Sequence, residues 1–120
     1  MGDATNAVAA IRDAAGGSVR IIATYDRDGY DVVYLRDDVE SKVASLAEGV
    51  HEELVIREVG RDYLEELFEA GALHCSMHRF EEMTAFHFIE GGFTGLFVSI
   101  DSDADVPLAS FAETCRAQLE

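Results

Sequence analysis

Lysine is almost missing from this sequence. Of nine cationic side chains only Lys42 is a lysine, and the nine face 24 carboxylates, for a formal net charge of −15. No row of cations is available to neutralise successive phosphates, which excludes a nucleic-acid partner from the expectations. Proline occurs once, at Pro107, so no Pro-rich interdomain linker is expected. Cysteine occurs twice, at Cys75 and Cys115. Residues 1–15 have neither the basic nor the apolar region of a secretory signal. The expected setting is therefore cytoplasmic and reducing, with both thiols packed as small hydrophobes. No stretch approaches the roughly 20 apolar residues of a membrane span, so no membrane partner is expected. Neither G-x-G-x-x-G nor a P-loop is present, and there are no internal repeats or low-complexity segments.

What is present is enough for a core. The chain has 120 residues, of which 48% are hydrophobic. That composition argues against disorder and for one α/β domain spanning 1–120. The acids are spread along the chain and do not form one tail. Their mutual repulsion destabilises a compact state in dilute buffer, whereas in molar salt the Debye length falls to about 3 Å and most of the penalty is screened. Haloarchaeal proteins share this acid-rich, lysine-poor composition; a mesophilic acidic protein is the alternative.

Periodicity gives the elements. Residues 3–15 are alanine-rich, with Val8 and Ile11 on one stripe, Asp3 or Thr5 as cap and Gly16-Gly17 as stop, which predicts a helix. Two β-rich runs, 18–25 and 30–36, flank Asp26-Arg27-Asp28-Gly29, a hairpin signal. Val39, Val43, Leu46, Val50 and Leu54 then recur at helical spacing. The pattern breaks at 58–60, and a short helix over 61–70 is expected to turn Leu64, Leu67 and Phe68 inward. Strands follow at 73–80, 83–90 and 93–101, apolar on both faces and therefore needing cover on both. Pro107 opens a last helix with Leu108, Phe111, Cys115 and Leu119 on one stripe. The order is α-β-β-α(α)-β-β-β-α, an α+β fold with a five-stranded antiparallel sheet and helices on both faces.

This element order is similar to that of Roadblock/LC7 domains, and the hairpin 21–35, with Asp26-Arg27-Asp28-Gly29 at its tip, looks like that family's first hairpin. The break near Gly60 departs from the usual single middle helix and keeps longin-like and profilin-like relatives open. The segments YDRDGYDVVYLRDDV and 79–101 (RFEE to FVSID) also resemble a small haloarchaeal family without an assigned activity. The Roadblock resemblance implies a non-catalytic interaction module. Such domains usually form homodimers by extending the sheet and pairing helices, and several regulate small GTPases or scaffold assemblies.

Candidate chemistry centres on the histidines. His74 and His78 share a strand face but stand about 13 Å apart at ~3.3 Å per residue, too far for one metal. Pairing Phe80 with Met83 across a tight turn puts His87 opposite Ser76, between the other two. One His pair with a carboxylate could then hold a metal. Strand alternation sends Cys75 to the opposite face, away from a thiol–imidazole pair. Asp101-Ser102-Asp103-Ala104-Asp105 opens like a calcium loop but has Val106 and Ala112 where glycine and glutamate belong, so it reads as a solvated loop. The pairs Glu52-Glu53, Glu65-Glu66 and Glu81-Glu82 read as solvated faces. Tyr30, Tyr34, Phe80, Phe88, Phe93 and Phe97 offer more apolar area than a small sheet obviously buries, enough for a dimer surface or a pocket. Three functions are carried forward: a homodimeric regulatory or scaffolding module with an unidentified protein partner and no cofactor; a small-molecule sensor with a pocket between sheet and helix; and a metalloprotein or enzyme using His74, His78 or His87.

Overall fold

The computed structural model describes residues 4–119. Helix α1 (Ala4–Ala15) leads through a 3-10 turn into β1 (Val19–Tyr25) and β2 (Tyr30–Leu35). A second 3-10 turn precedes α2 (Glu40–Val59) and α3 (Arg61–Phe68). Strands β3 (Cys75–Arg79), β4 (Met83–Gly91) and β5 (Thr94–Asp101) follow, and α4 (Leu108–Ala117) ends the fold. The five strands form one sheet in the order β2-β1-β5-β4-β3, every pairing antiparallel. Asp3, the alternative cap for α1, lies outside the described residues. Gly16, with φ of +60°, stops that helix in the left-handed region open to glycine.

The hairpin turn closes by local chemistry. Asp26 Oδ1 accepts from the amides of Asp28 at 2.8 Å and Gly29 at 3.0 Å, and the Asp26 amide donates to the Gly29 carbonyl. That is the Asx-type geometry for which Asp is selected in turns. The β3–β4 hairpin closes where the Phe80 amide donates to the Met83 carbonyl at 2.7 Å. Its register puts Ser76 opposite His87 and His78 opposite Ala85.

The core lies on one face of the sheet. Phe86, Phe88, Leu96, Val98 and Ile100 meet Ile11 of α1 and Phe111 and Cys115 of α4. Each such side chain contributes about 1.5–3 kcal/mol by leaving water. Cys75 sits half-buried against this cluster, as the strand alternation implied. Burial pushes the thiols up, Cys75 to about 11 and Cys115 to about 12, so both stay protonated and unreactive at neutral pH.

The other face is covered loosely, by α2. Val39 and Leu54 are buried, but Leu46 remains 57% exposed on the same stripe. Helix α3 departs further from expectation. Leu64, Leu67 and Phe68 do not turn inward: Leu67 is 57% and Phe68 70% exposed. The physical reason is reach. Its tethers to the sheet side are polar, Arg61 Nε donating to the Leu73 carbonyl and Glu65 Oε2 accepting the Leu73 amide, and its apolar side chains are left exposed.

A strapped helix, a hollow and an exposed apolar face

Helix α2 is held over the sheet by polar straps. At its start Lys42 pairs with Glu82 of the β3–β4 turn at 3.6 Å. In its middle the His51 ring is hydrogen-bonded to the Asp26 carbonyl of the first hairpin at 2.7 Å. Near its end Glu58 Oε2 accepts the Phe93 amide of the β4–β5 turn at 2.9 Å. Between the straps the side chains do not close on the sheet. A chamber of about 470 Å³ remains, floored by Ile21, Ala23 and Phe97 and roofed by Val43, Ala47 and Val50. A recess of about 340 Å³ on the other flank shares Leu46, Val50, Leu54, Phe80 and Phe97 with it. Both volumes fall in the range of small-molecule sites, which run from roughly 300 to 1,000 Å³.

The aromatic residues divide accordingly. Phe88 is fully buried in the core, Tyr34 packs against that core beneath Arg12, and Arg27 caps Phe93. Tyr30, Phe80 and Phe97 line the chamber. An apolar stripe also runs along the outer side of the helical pair: Ile56, Val59, Tyr63, Leu67 and Phe68 are all more than half exposed. Ile56 and Val59 are three apart in α2, and Tyr63 and Leu67 four apart in α3, so each pair shares a side of its helix. The edge strand β3 also exposes Met77 and His78, with Phe80 just beyond.

The histidines separate. His78 is exposed, whereas His87 is buried beneath α2 and hydrogen-bonded through Nε2 to the Tyr25 hydroxyl at 2.5 Å. Burial, with Arg57 and His78 adding repulsion, lowers the His87 pKa to about 4, so the ring is neutral at pH 7. Burial and then Glu58 raise the Tyr25 hydroxyl above its ordinary value, with Arg57 acting the other way. Nδ1 of His74 and Nδ1 of His87 are buried with no partner among the described residues. Also among the described residues, no three His, Cys, Asp or Glu side chains stand together as ligands for a metal ion. The register brings His87 between His74 and His78, and its Nε2 is engaged by Tyr25.

Asp101, which opens the calcium-like run, has partners of its own. Asp101 accepts two bonds from Arg36, at 2.7 and 2.8 Å, and one from Arg20 at 3.3 Å. Arg36 also reaches Asp38 and the Gly17 carbonyl. Arg36 accordingly holds the Asp101 carboxyl below the usual carboxylate range. This clamp ties β2, β1 and the end of β5 together. It was not visible in sequence, where Arg20, Arg36 and Asp101 lie far apart along the chain.

A sheet of this order, helices on both faces and a half-covered middle helix make the fold comparable with known proteins. Residues 5–120 match the family model described as Domain of unknown function (DUF7522). The chain belongs to the DUF7522 family. No curated protein sequence matches this DUF7522 chain. Among solved structures it is similar to a Roadblock/LC7 domain from Streptomyces avermitilis, at 19% identity and a TM-score of 0.54, covering 85% of this chain and 80% of that one. It is also similar to MglB of Myxococcus xanthus, at 13% identity and a TM-score of 0.52, covering 98% and 90%. These likenesses establish a Roadblock/LC7-like fold for the DUF7522 chain, as its element order implied. Among the described residues no helix is long and apolar enough to cross a membrane.

Proposed function

We propose that this protein is a non-catalytic regulatory or scaffolding module that works as a homodimer in the cytoplasm of a salt-loving archaeon. The observations that carry the reading are the exposed apolar side chains Ile56, Val59, Tyr63, Leu67 and Phe68 of α2 and α3 and the unpaired edge of β3. Contiguous apolar surface of this kind marks an interaction site, since a lone monomer loses free energy by holding it in water. The edge strand β3 adds unpaired backbone donors and acceptors that a second sheet can satisfy. The fold likeness supports the same reading, because proteins with this fold commonly act through protein contacts. The habitat rests on the net charge of −15 with a single lysine.

Light scattering in molar potassium chloride tests the dimer. The expected mass is about 26 kDa, twice the 13.1 kDa of one chain. A mass of one chain at every concentration from micromolar to millimolar would rule it out.

A further inference from the structure

The chamber under α2 lies on the sheet side of the helix, whereas the dimer reading uses the outer side. It is elongated: Lys42 and His51 stand about 13 Å apart along α2 at ~1.5 Å per residue, and both line it. The walls between them are aliphatic. The far end is closed by the rings of Tyr25, Tyr30 and His51, which pack on one another.

The near end carries the cations. Arg20 lines the chamber, and its side chain is only 14% exposed. A guanidinium offers five N–H donors, yet among the described residues this one makes a single bond, of 3.3 Å to Asp101 Oδ1. Arg36 already takes both oxygens of that carboxylate at shorter distance. Arg20 is thus the minor partner of that carboxylate and keeps donors for a further anion. Opposite stands Lys42, the only lysine of the chain, paired with Glu82 at 3.6 Å where both side chains are well exposed. An ion pair of that length in water is weak and exchanges readily for another anion. Glu81 and Glu82, the acids at this end, are exposed and form the outer rim.

We propose that the chamber binds a small amphipathic monoanion, in chemistry a medium-chain carboxylate. Its hydrocarbon body lies between α2 and strands β1 and β5, and its carboxylate is received by Arg20 and Lys42 in place of Glu82. Length, apolar walls and cations confined to one end select this class over a neutral oil, which has no use for the cations. They also select it over a compact polar metabolite, which leaves the aliphatic walls wet.

Calorimetric titration of the full chain in molar potassium chloride, with decanoate as probe and decanol as its neutral counterpart, decides the matter. The readout is per chain and so is independent of whether the protein is a monomer or a dimer. Decanoate is expected to bind once per chain and more tightly than decanol. Lys42→Gln, at an exposed position that does not threaten folding, is expected to weaken decanoate about tenfold and leave decanol unchanged. Arg20→Gln is expected to do the same, with circular dichroism confirming the fold. Ala47→Phe, which fills the chamber from α2, is expected to abolish both. Absence of decanoate binding up to millimolar concentration overturns the proposal. So does equal affinity for the two probes, or decanoate binding indifferent to both Lys42→Gln and Ala47→Phe. Loss of dimer mass in Ala47→Phe without any decanoate binding assigns the chamber to a second copy of the chain and overturns it too.

Discussion

Gly95 stands directly opposite Tyr25 in the β1–β5 register, and a Cβ there would meet the Phe88 carbonyl oxygen and the Tyr25 ring. The glycine makes the room in which that ring lies flat enough for its hydroxyl to reach His87. Gly95→Ala is therefore expected to cost about 1–3 kcal/mol by overpacking, read as a lower midpoint in denaturant unfolding. His87 supplies a pH signature. Its folded pKa of about 4 is below the ordinary 6.5, so between those values the unfolded chain binds the proton more readily. The contribution is complete above about pH 6.5 and is lost as pH falls toward 4, amounting to roughly 3 kcal/mol over the window. Stability measured from pH 7 to 4 is expected to fall more steeply in wild type than in His87→Gln; parallel curves would show that the buried ring does not titrate there. The position of His87 opposite Ser76 was legible, because one tight turn fixes every pair in a hairpin. Its burial and its bond to Tyr25 were not. They depend on β5 lying between β1 and β4 and on α2 lying above, neither of which a strand's own residues encode.

At the scale of elements, strands and helices were legible to within a residue or three because period and turn residues agreed. Asp26 to Gly29 announced the first hairpin. The direction of α3 was not legible. Leu64, Leu67 and Phe68 make an amphipathic stripe, and such a stripe says only that one side avoids water. It does not say whether the cover is the chain's own sheet or another molecule. Likewise the stripe from Val39 to Leu54 foretold a helix but not the hollow beneath it. Leu67→Glu is expected to change the unfolding free energy of the isolated chain by no more than about 0.5 kcal/mol, as for an exposed position. A loss of several kcal/mol under conditions where the protein is a monomer would mean that α3 packs inward after all.

For the whole molecule the dominant quantity is charge. Twenty-four acids spread over 120 residues repel one another in dilute buffer, and the Arg20–Arg36–Asp101 clamp offsets only a local part of this. Screening in molar salt removes most of the rest. Tm is expected to rise by at least about 5 °C between low and molar potassium chloride, the equivalent of roughly 1 kcal/mol; maximal stability in dilute buffer would contradict a salt-adapted surface. The same screening lets two copies approach. Sedimentation equilibrium in molar potassium chloride, comparing wild type with Val59→Glu/Leu67→Glu, bears most directly on the proposed role. Wild type is expected at twice the 13.1 kDa chain mass and the folded variant at that mass itself. A wild type that stays at one chain mass, or a variant that remains a dimer, would contradict an interface built on the outer face of α2 and α3.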